Sequence, residues 1–315
     1  MTQPPPANVV PVCYRHPNRE TYVRCTRCDR PICPDCMNEA SVGFQCPDCV
    51  REGSKTQRQA RTAFGGSQSG AAGTVTITLI VINVMVFIIG IISAGRGAAD
   101  GLGGGGLGGL LGGSTPLHDW GAEVPYFTAR GSGIRLPGDS VADGHWYQLF
   151  TSMWLHYGLL HLAMNMWALW ILGRPLEAAL GRIRFLALYI LCGLGGSVLV
   201  FLLAGPNTAS AGASGAIFGM FSALIVILRK MKLSVASIIP VLIFNLVITF
   251  SFSGYISWQA HVGGLITGAI VAAGFAYAPS KQRTQLQVAT VVGTLALLAI
   301  AFAVGLSQVP AVGTV

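Results

Sequence analysis

From position 74 onward the chain alternates between long apolar runs and short polar or glycine-rich breaks. The runs cover about residues 74–93, 148–172, 185–204, 214–228, 235–252, 258–277 and 288–307. A hydrocarbon core about 30 Å thick is crossed by about 20 helical residues, so the pattern predicts an all-α polytopic membrane protein with seven spans. The fourth run is short. It holds about fifteen residues before Arg229 and Lys230, a helix of roughly 23 Å, so one end must stop inside the membrane. Arg229, Lys230 and Lys232 fix the other end at the water, and the recessed end carries Gly212-Ala213-Ser214-Gly215. Non-helical backbone at that depth is tolerated only where it is buried in protein or lines a wet cavity. The pattern thus predicts a serine hydroxyl at a helix start beside water. The alternative use of Gly212, Ser214, Gly215 and Gly219 is close helix packing alone.

Composition adds a second part. The 315 residues are 52% hydrophobic and only 10% charged, with a mean hydropathy of +0.59. Those values exclude a wholly soluble enzyme. Seven of the eight cysteines precede residue 50, which marks a separate small module. The polar N-terminus precedes the first apolar run by about 70 residues, so no cleavable signal peptide is expected. Basic residues cluster at Arg51 to Arg61, Arg174 to Arg184, Arg229 to Lys232 and Lys281 to Arg283, while the breaks near 205–213 and 253–257 and the tail 308–315 have none. The positive-inside rule then puts the N-terminus in the cytoplasm, the C-terminus outside and Ser214 at the outer end. A multi-span chain of this kind suggests a bacterial cell membrane.

The cysteines come in pairs: Cys13-x2-His16, Cys25-x2-Cys28, Cys33-x2-Cys36 and Cys46-x2-Cys49. Eight ligands at this spacing suit two tetrahedral zinc ions, and the odd number of cysteines disfavours a disulfide framework. The four-residue spacer between Cys28 and Cys33 suits interleaving, with Cys13, His16, Cys33 and Cys36 on one ion and Cys25, Cys28, Cys46 and Cys49 on the other. Some forty residues bury too little apolar surface to fold alone, so metal is expected to stabilise the module. The predicted organisation is a module over 1–50, a flexible basic linker over 51–73, a six-helix core over 74–280 and a seventh helix with a short tail over 281–315. Nothing reads as a nucleic-acid recognition helix. The glycine run 101–113 is expected to be mobile.

Polar groups within spans are costly and ask for a role. His261 sits about one turn into the sixth run, level with Ser214. Ala260, Gly264 and Gly268 form a small-residue face opposite Gly215 and Gly219. Close approach brings an imidazole to a hydroxyl, the pairing that activates a serine nucleophile. His161 and Asn165 are four apart, hence on one face, and can donate to an oxyanion with the Ser214 N–H. From Trp146 on, the only carboxylate is Glu177, expected at the cytoplasmic end of the second run. No carboxylate there can orient His261, which leaves a Ser–His dyad with the ring stacked on Phe218. The lack of carboxylates also argues against a channel or proton-coupled transporter.

The ordered set Trp146…His156-x4-His161-x3-Asn165, Gly173…Glu177…Gly181, Gly212-Ala213-Ser214-Gly215 and Ala260-His261-x-Gly263-Gly264-x3-Gly268 resembles the rhomboid intramembrane serine proteases over about residues 74–280. The resemblance implies a six-helix core plus one C-terminal helix, and cofactor-free hydrolysis of peptide bonds in or beside transmembrane segments of other proteins. It implies Ser214 as nucleophile, His261 as base, and His161 and Asn165 as oxyanion donors. The cysteine pattern resembles B-box-type zinc fingers, mostly protein-interaction modules, which implies a protein partner or a regulatory role. Two positions depart from the family pattern. Gln148 stands where arginine is usual, and Phe218 stands where tyrosine is common. A non-catalytic binder of membrane helices with the same fold is the alternative function.

Overall fold

A computed structural model describes residues 10–56, 61–67, 73–94 and 113–314. The chain divides into two compact units, Met1–Gln59 and Ala60–Val315. In the first, a two-stranded antiparallel pair, β1 (Asn38–Glu39) and β2 (Phe44–Gln45), precedes helix α1 (Pro47–Thr56). Its buried centre is Ile32 and the cysteines themselves. The core is therefore little more than the two ligand clusters. Helix α1 carries the unit past residue 50, so the expected flexible linker is corrected at 51–56; Arg58 lies outside the described residues.

The second unit is a helical bundle: α2 (Thr74–Ser93), α3 (Pro116–Gly121), α4 (Gln148–Thr151), α5 (Leu159–Leu180), α6 (Arg182–Leu203), α7 (Ser214–Lys230), α8 (Ile238–Ser251), α9 (Trp258–Tyr277) and α10 (Arg283–Gln308). Helices α2, α6, α9 and α10 are long and apolar enough to cross a membrane, which makes this a multi-pass membrane protein. Helix α7 has 17 residues. Helix α8, with 14, reaches only about 21 Å.

Boundaries differ from the hydropathy pattern at three places. The run 148–172 is not one helix: α4 and a 3-10 turn (Ser152–Trp154) lead into a loop, and α5 starts at Leu159. Gly158, at φ 80°, takes a left-handed conformation that ends the loop. Gln148, Ser152 and His156 are buried there, and hydropathy alone does not separate such a buried loop from a span. Helix α5 instead runs on through Pro175 to Leu180. The last helix begins at Arg283, before the expected 288. Third, residues 61–67 of the expected linker form a packed turn. Phe64 is buried in the bundle core, its N–H donates to Ala179 O (3.4 Å) and its carbonyl accepts from Gln287 Nε2 (3.1 Å).

Near this end of the bundle Glu177 is fully buried. Its carboxylate accepts from the N–H groups of Val75 (2.9 Å) and Thr76 (2.8 Å) and from Thr76 Oγ1 (2.8 Å). These are the orphan donors of the α2 start, so Glu177 acts as that helix's cap from another element. At the opposite end, a cover is built by α3 and the antiparallel pair β3 (Phe127–Thr128) and β4 (Arg135–Leu136). The tail joins it, with Arg135 N–H donating to Thr314 O at 2.9 Å. Except for Gly113, the glycine run 101–113 lies outside the described residues.

Helices α6, α7 and α9 form the centre, and their glycines let backbones touch. A Cβ on Gly264 would lie 1.9 Å from Gly215 O, and one on Gly268 would lie 2.1 Å from Gly219 O. The small-residue faces expected on the fourth and sixth runs therefore do meet.

Candidate active site

Ser214 is the first residue of α7, after Ala213 as N-cap. The approach to it is held from two sides. Glu123 of the cover pairs with Ser210 through two backbone bonds (2.9 and 2.8 Å), and Gly212 N–H donates to Ser152 O (2.9 Å). Gly212 has φ 138°. A Cβ there would lie 2.9 Å from His161 Nε2 and 3.7 Å from Ser214 Oγ. The His161 ring and the Ser214 hydroxyl thus flank one face of Gly212, and only glycine leaves both room.

His261 lies in the first turn of α9 and is buried. Its ring stacks on Phe218, with centroids 4.0 Å apart and planes at 13°. Phe218 is four residues after Ser214 and so shares its helix face. The imidazole therefore lies over the first turn of α7, on the serine's side. Next to it, the Gly215–Gly264 contact brings the two backbones together. Phenylalanine in place of tyrosine keeps this stacking surface intact. His261 Nδ1 also meets Thr249 Oγ1 of α8 at 2.7 Å, a partner that the sequence did not announce.

His161 and Asn165 fall in the first two turns of α5, and Asn165 Nδ2 donates to His161 O (2.9 Å). His161 packs edge-on against His156, centroids 5.1 Å apart, and Ala213 N–H points at His156 Nε2 (3.5 Å). A fourth histidine, His118 of α3, is buried, stacks on Tyr157 (4.5 Å) and bonds Thr115 through Nδ1. Burial pushes His118 below the ordinary histidine range. Sequence reasoning missed it; its one signal was the helix start Thr115-Pro116 just ahead.

Gln148 explains how the cover stays in place without arginine. It is fully buried; Oε1 accepts from Val124 N–H (3.2 Å), and Nε2 donates to Asp139 O (2.9 Å) and Trp120 O (3.5 Å). An amide supplies donors and an acceptor together, so three backbone groups of the cover are satisfied with no buried charge.

In the N-terminal unit the eight expected ligands form two clusters, Cys13–His16–Cys33–Cys36 and Cys25–Cys28–Cys46–Cys49, with ligand atoms within 4.8 Å of one another in each. All the cysteines are free thiols. A tetrahedral ion with bonds of about 2.3 Å sets neighbouring ligands about 3.8 Å apart; Cys28 Sγ to Cys46 Sγ is 3.7 Å and Cys13 Sγ to His16 Nδ1 is 3.8 Å. Burial raises the Cys13 thiol, but the Cys33, Arg15 and His16 amides outweigh it and hold it at about 6. Burial and the neighbouring Cys13 and Cys33 thiols push Cys36 up to about 11. A cation is what such a cluster needs to hold all its thiolates at once. The residues fit a metal ion.

Residues 143–278 match the Rhomboid domain. Among similar proteins, Rhomboid protease GluP of Bacillus subtilis is 43% identical over 138 residues, 42% of this chain and 27% of that protein. Putative rhomboid protease YdcA of the same organism is 35% identical over 133 residues, 41% of this chain and 66% of that one. Rhomboid protease AarA of Providencia stuartii is 26% identical over 235 residues, 66% of this chain and 74% of that protein. The first relatives, GluP and RHOMBOID-like protein 6, mitochondrial, of Arabidopsis thaliana, are spanned over well under half their length, 27% and 41%. The match over residues 143–278 and the similarity to these relatives support the rhomboid family for this chain.

Proposed function

We propose that the protein is an intramembrane serine endopeptidase that cleaves transmembrane segments of other proteins with a Ser214–His261 dyad. His261 Nε2 takes the proton from Ser214 Oγ as the oxygen attacks the peptide carbonyl carbon. The carbonyl pair moves to oxygen, and His161, Asn165 and the Ser214 N–H donate to the resulting oxyanion. The C–N bond then breaks, with the proton passing from His261 to the leaving amine. Water repeats the sequence on the acyl-enzyme, freeing the acid and Ser214. One observation carries this reading: the His261 ring stacked on Phe218 over the first turn of the helix that Ser214 opens. In this reading the N-terminus is cytoplasmic, the C-terminus lies outside, and the membrane is a bacterial plasma membrane. The N-terminal unit takes two structural zinc ions and binds a protein partner or regulates, with no part in hydrolysis.

Purified protein in detergent should label with a fluorophosphonate probe, and Ser214→Ala or His261→Ala should cut labelling by at least about 10³-fold without lowering Tm. Labelling that survives Ser214→Ala would rule out this nucleophile. Absence of labelling and of cleavage in the folded wild type would favour a non-catalytic helix binder.

A further inference from the structure

The Thr249 hydroxyl has two close neighbours and one hydrogen. Its Oγ1 lies 2.7 Å from His261 Nδ1 and 2.8 Å from Asn245 O, the carbonyl one turn back in α8. A carbonyl only accepts. For both contacts to be hydrogen bonds, the threonine must donate to Asn245 O and accept from Nδ1–H. In the neutral ring the proton then sits on Nδ1, and Nε2 keeps its lone pair. That is the tautomer a base needs. A tautomer in which Nε2 carries the hydrogen would leave Oγ1 facing two acceptors with one hydrogen to give.

The helix that supplies this hydroxyl is short and loosely seated. Only Leu242 and Thr249 of α8 are buried, while Val241, Ile243, Phe244, Val247 and Phe250 are exposed. Thr249 is itself 1% exposed, and His261 is 6%. Among the described residues, the Thr249–His261 contact is the one side-chain hydrogen bond that ties α8 to another helix. Glu177 is committed to α2, and among the described residues no carboxylate hydrogen-bonds the His261 ring.

We infer that Thr249 is the positioning residue that holds His261 in the Nδ1–H tautomer, so that the base is competent only while α8 is seated against α9. This rests on the dyad reading above and adds a third member to it, a hydroxyl where other serine hydrolases use a carboxylate. Displacing α8 removes the acceptor from Nδ1–H and leaves the ring held by Phe218 stacking alone. Seating of a marginal helix and readiness of the base become one event.

The test uses full-length protein in detergent, with single-turnover fluorophosphonate labelling, steady-state cleavage of a model transmembrane substrate and nitrogen NMR of protein labelled in histidine. Thr249→Val, which matches the shape and lacks the acceptor, should lower the labelling rate and kcat by about 10- to 100-fold and leave KM within about threefold. Thr249→Ser should restore both to within about threefold of wild type. In the wild-type spectrum the His261 signal, assigned by its loss in His261→Ala, should show a protonated Nδ1 and a bare Nε2; Thr249→Val should mix the two tautomers. A wild-type His261 with its proton on Nε2 overturns the inference without any Thr249 variant having to fold. So does a folded Thr249→Val that labels at the wild-type rate while Ser214→Ala and His261→Ala remain silent, and in that case the dyad stands. Labelling that persists in Ser214→Ala instead removes the dyad itself.

Discussion

The two ends of the helix bundle meet the same difficulty, polar side chains among apolar helices, and treat it in opposite ways. At the end capped by Glu177 the buried carboxylate and amide side chains are spent. Glu177 accepts three hydrogen bonds from the α2 start. Gln287 donates to Phe64 O and Phe275 O and accepts from Arg184 Nε at 2.6 Å. At the Ser214 end capacity is left over: His156 Nδ1 and His118 Nε2 are buried with no hydrogen-bond partner among the described residues. Asn165 donates one bond within its own helix, and its carbonyl oxygen accepts none among the described residues. Buried polar groups are nearly always paired, so an end with several unspent ones is built to receive something. Saturation marks a structural end; reserve marks a working one.

If that contrast is right, damage at the two ends separates into different observables. The largest expected effect is at the saturated end. Glu177→Ala strands two N–H groups and a hydroxyl, each costing about 1–3 kcal/mol when buried unpaired, so the total should be about 4 kcal/mol. Denaturation in detergent should show a large fall in stability, while the fraction still folded labels at the normal rate. A folded fraction with normal stability and impaired labelling would erase the contrast.

At the reserve end the pattern should invert. In the proposed reaction Asn165→Ala removes an oxyanion donor, and in the resting structure it breaks only one intrahelical bond. Losing one such donor slows catalysis by about 10²-fold, equivalent to about 2.7 kcal/mol, and the melting temperature should move by no more than a degree or two. Measuring kcat and Tm on the same preparation checks both halves. A large Tm loss with kcat preserved would make Asn165 another saturated structural group.

The same contrast governs what the sequence could reveal. The two Cys/His clusters were legible because pairs such as Cys25 and Cys28 are positioned by local chain geometry, and the observed interleaving of the clusters agrees with the spacer. The meeting of Ser214's helix with His261's was legible from Gly215, Gly219, Gly264 and Gly268, since only small residues permit backbone contact. Thr249 was not legible: a threonine in an apolar helix ordinarily bonds back one turn, and its second contact exists only after α8 meets α9. Glu177 lies near the C-terminal end of α5, yet its role in capping α2 is a contact across about a hundred positions. The turn at 61–67 reads as linker by composition and becomes structure only because Gln287 and Ala179 take up its backbone. His118 and Glu123 lie in a segment whose sequence has too few apolar residues to predict burial.

Glu123 offers the finest test, because it sits at the reserve end and yet has a structural task. Its backbone pairs with Ser210 on the approach to Ser214, and its side chain is 1% exposed. Burial raises the carboxyl well above the usual carboxylate range, with Ser197 and the Phe201 backbone offsetting a part. A raised acid makes the native state hold a proton that the unfolded chain has already released. Native stability therefore falls with rising pH from the ordinary carboxylate range up to the native value, by about 1.4 kcal/mol per pH unit, and is flat above it. Glu123→Gln keeps the shape and removes the titration. Melting profiles at pH 5, 6, 7 and 8 should show the variant gaining on the wild type as pH rises across that window. Parallel profiles would mean that the carboxyl is ionised in the native state. It would then need a partner that the cover does not supply, and the Ser214 end would hold a charge in place of spare neutral capacity.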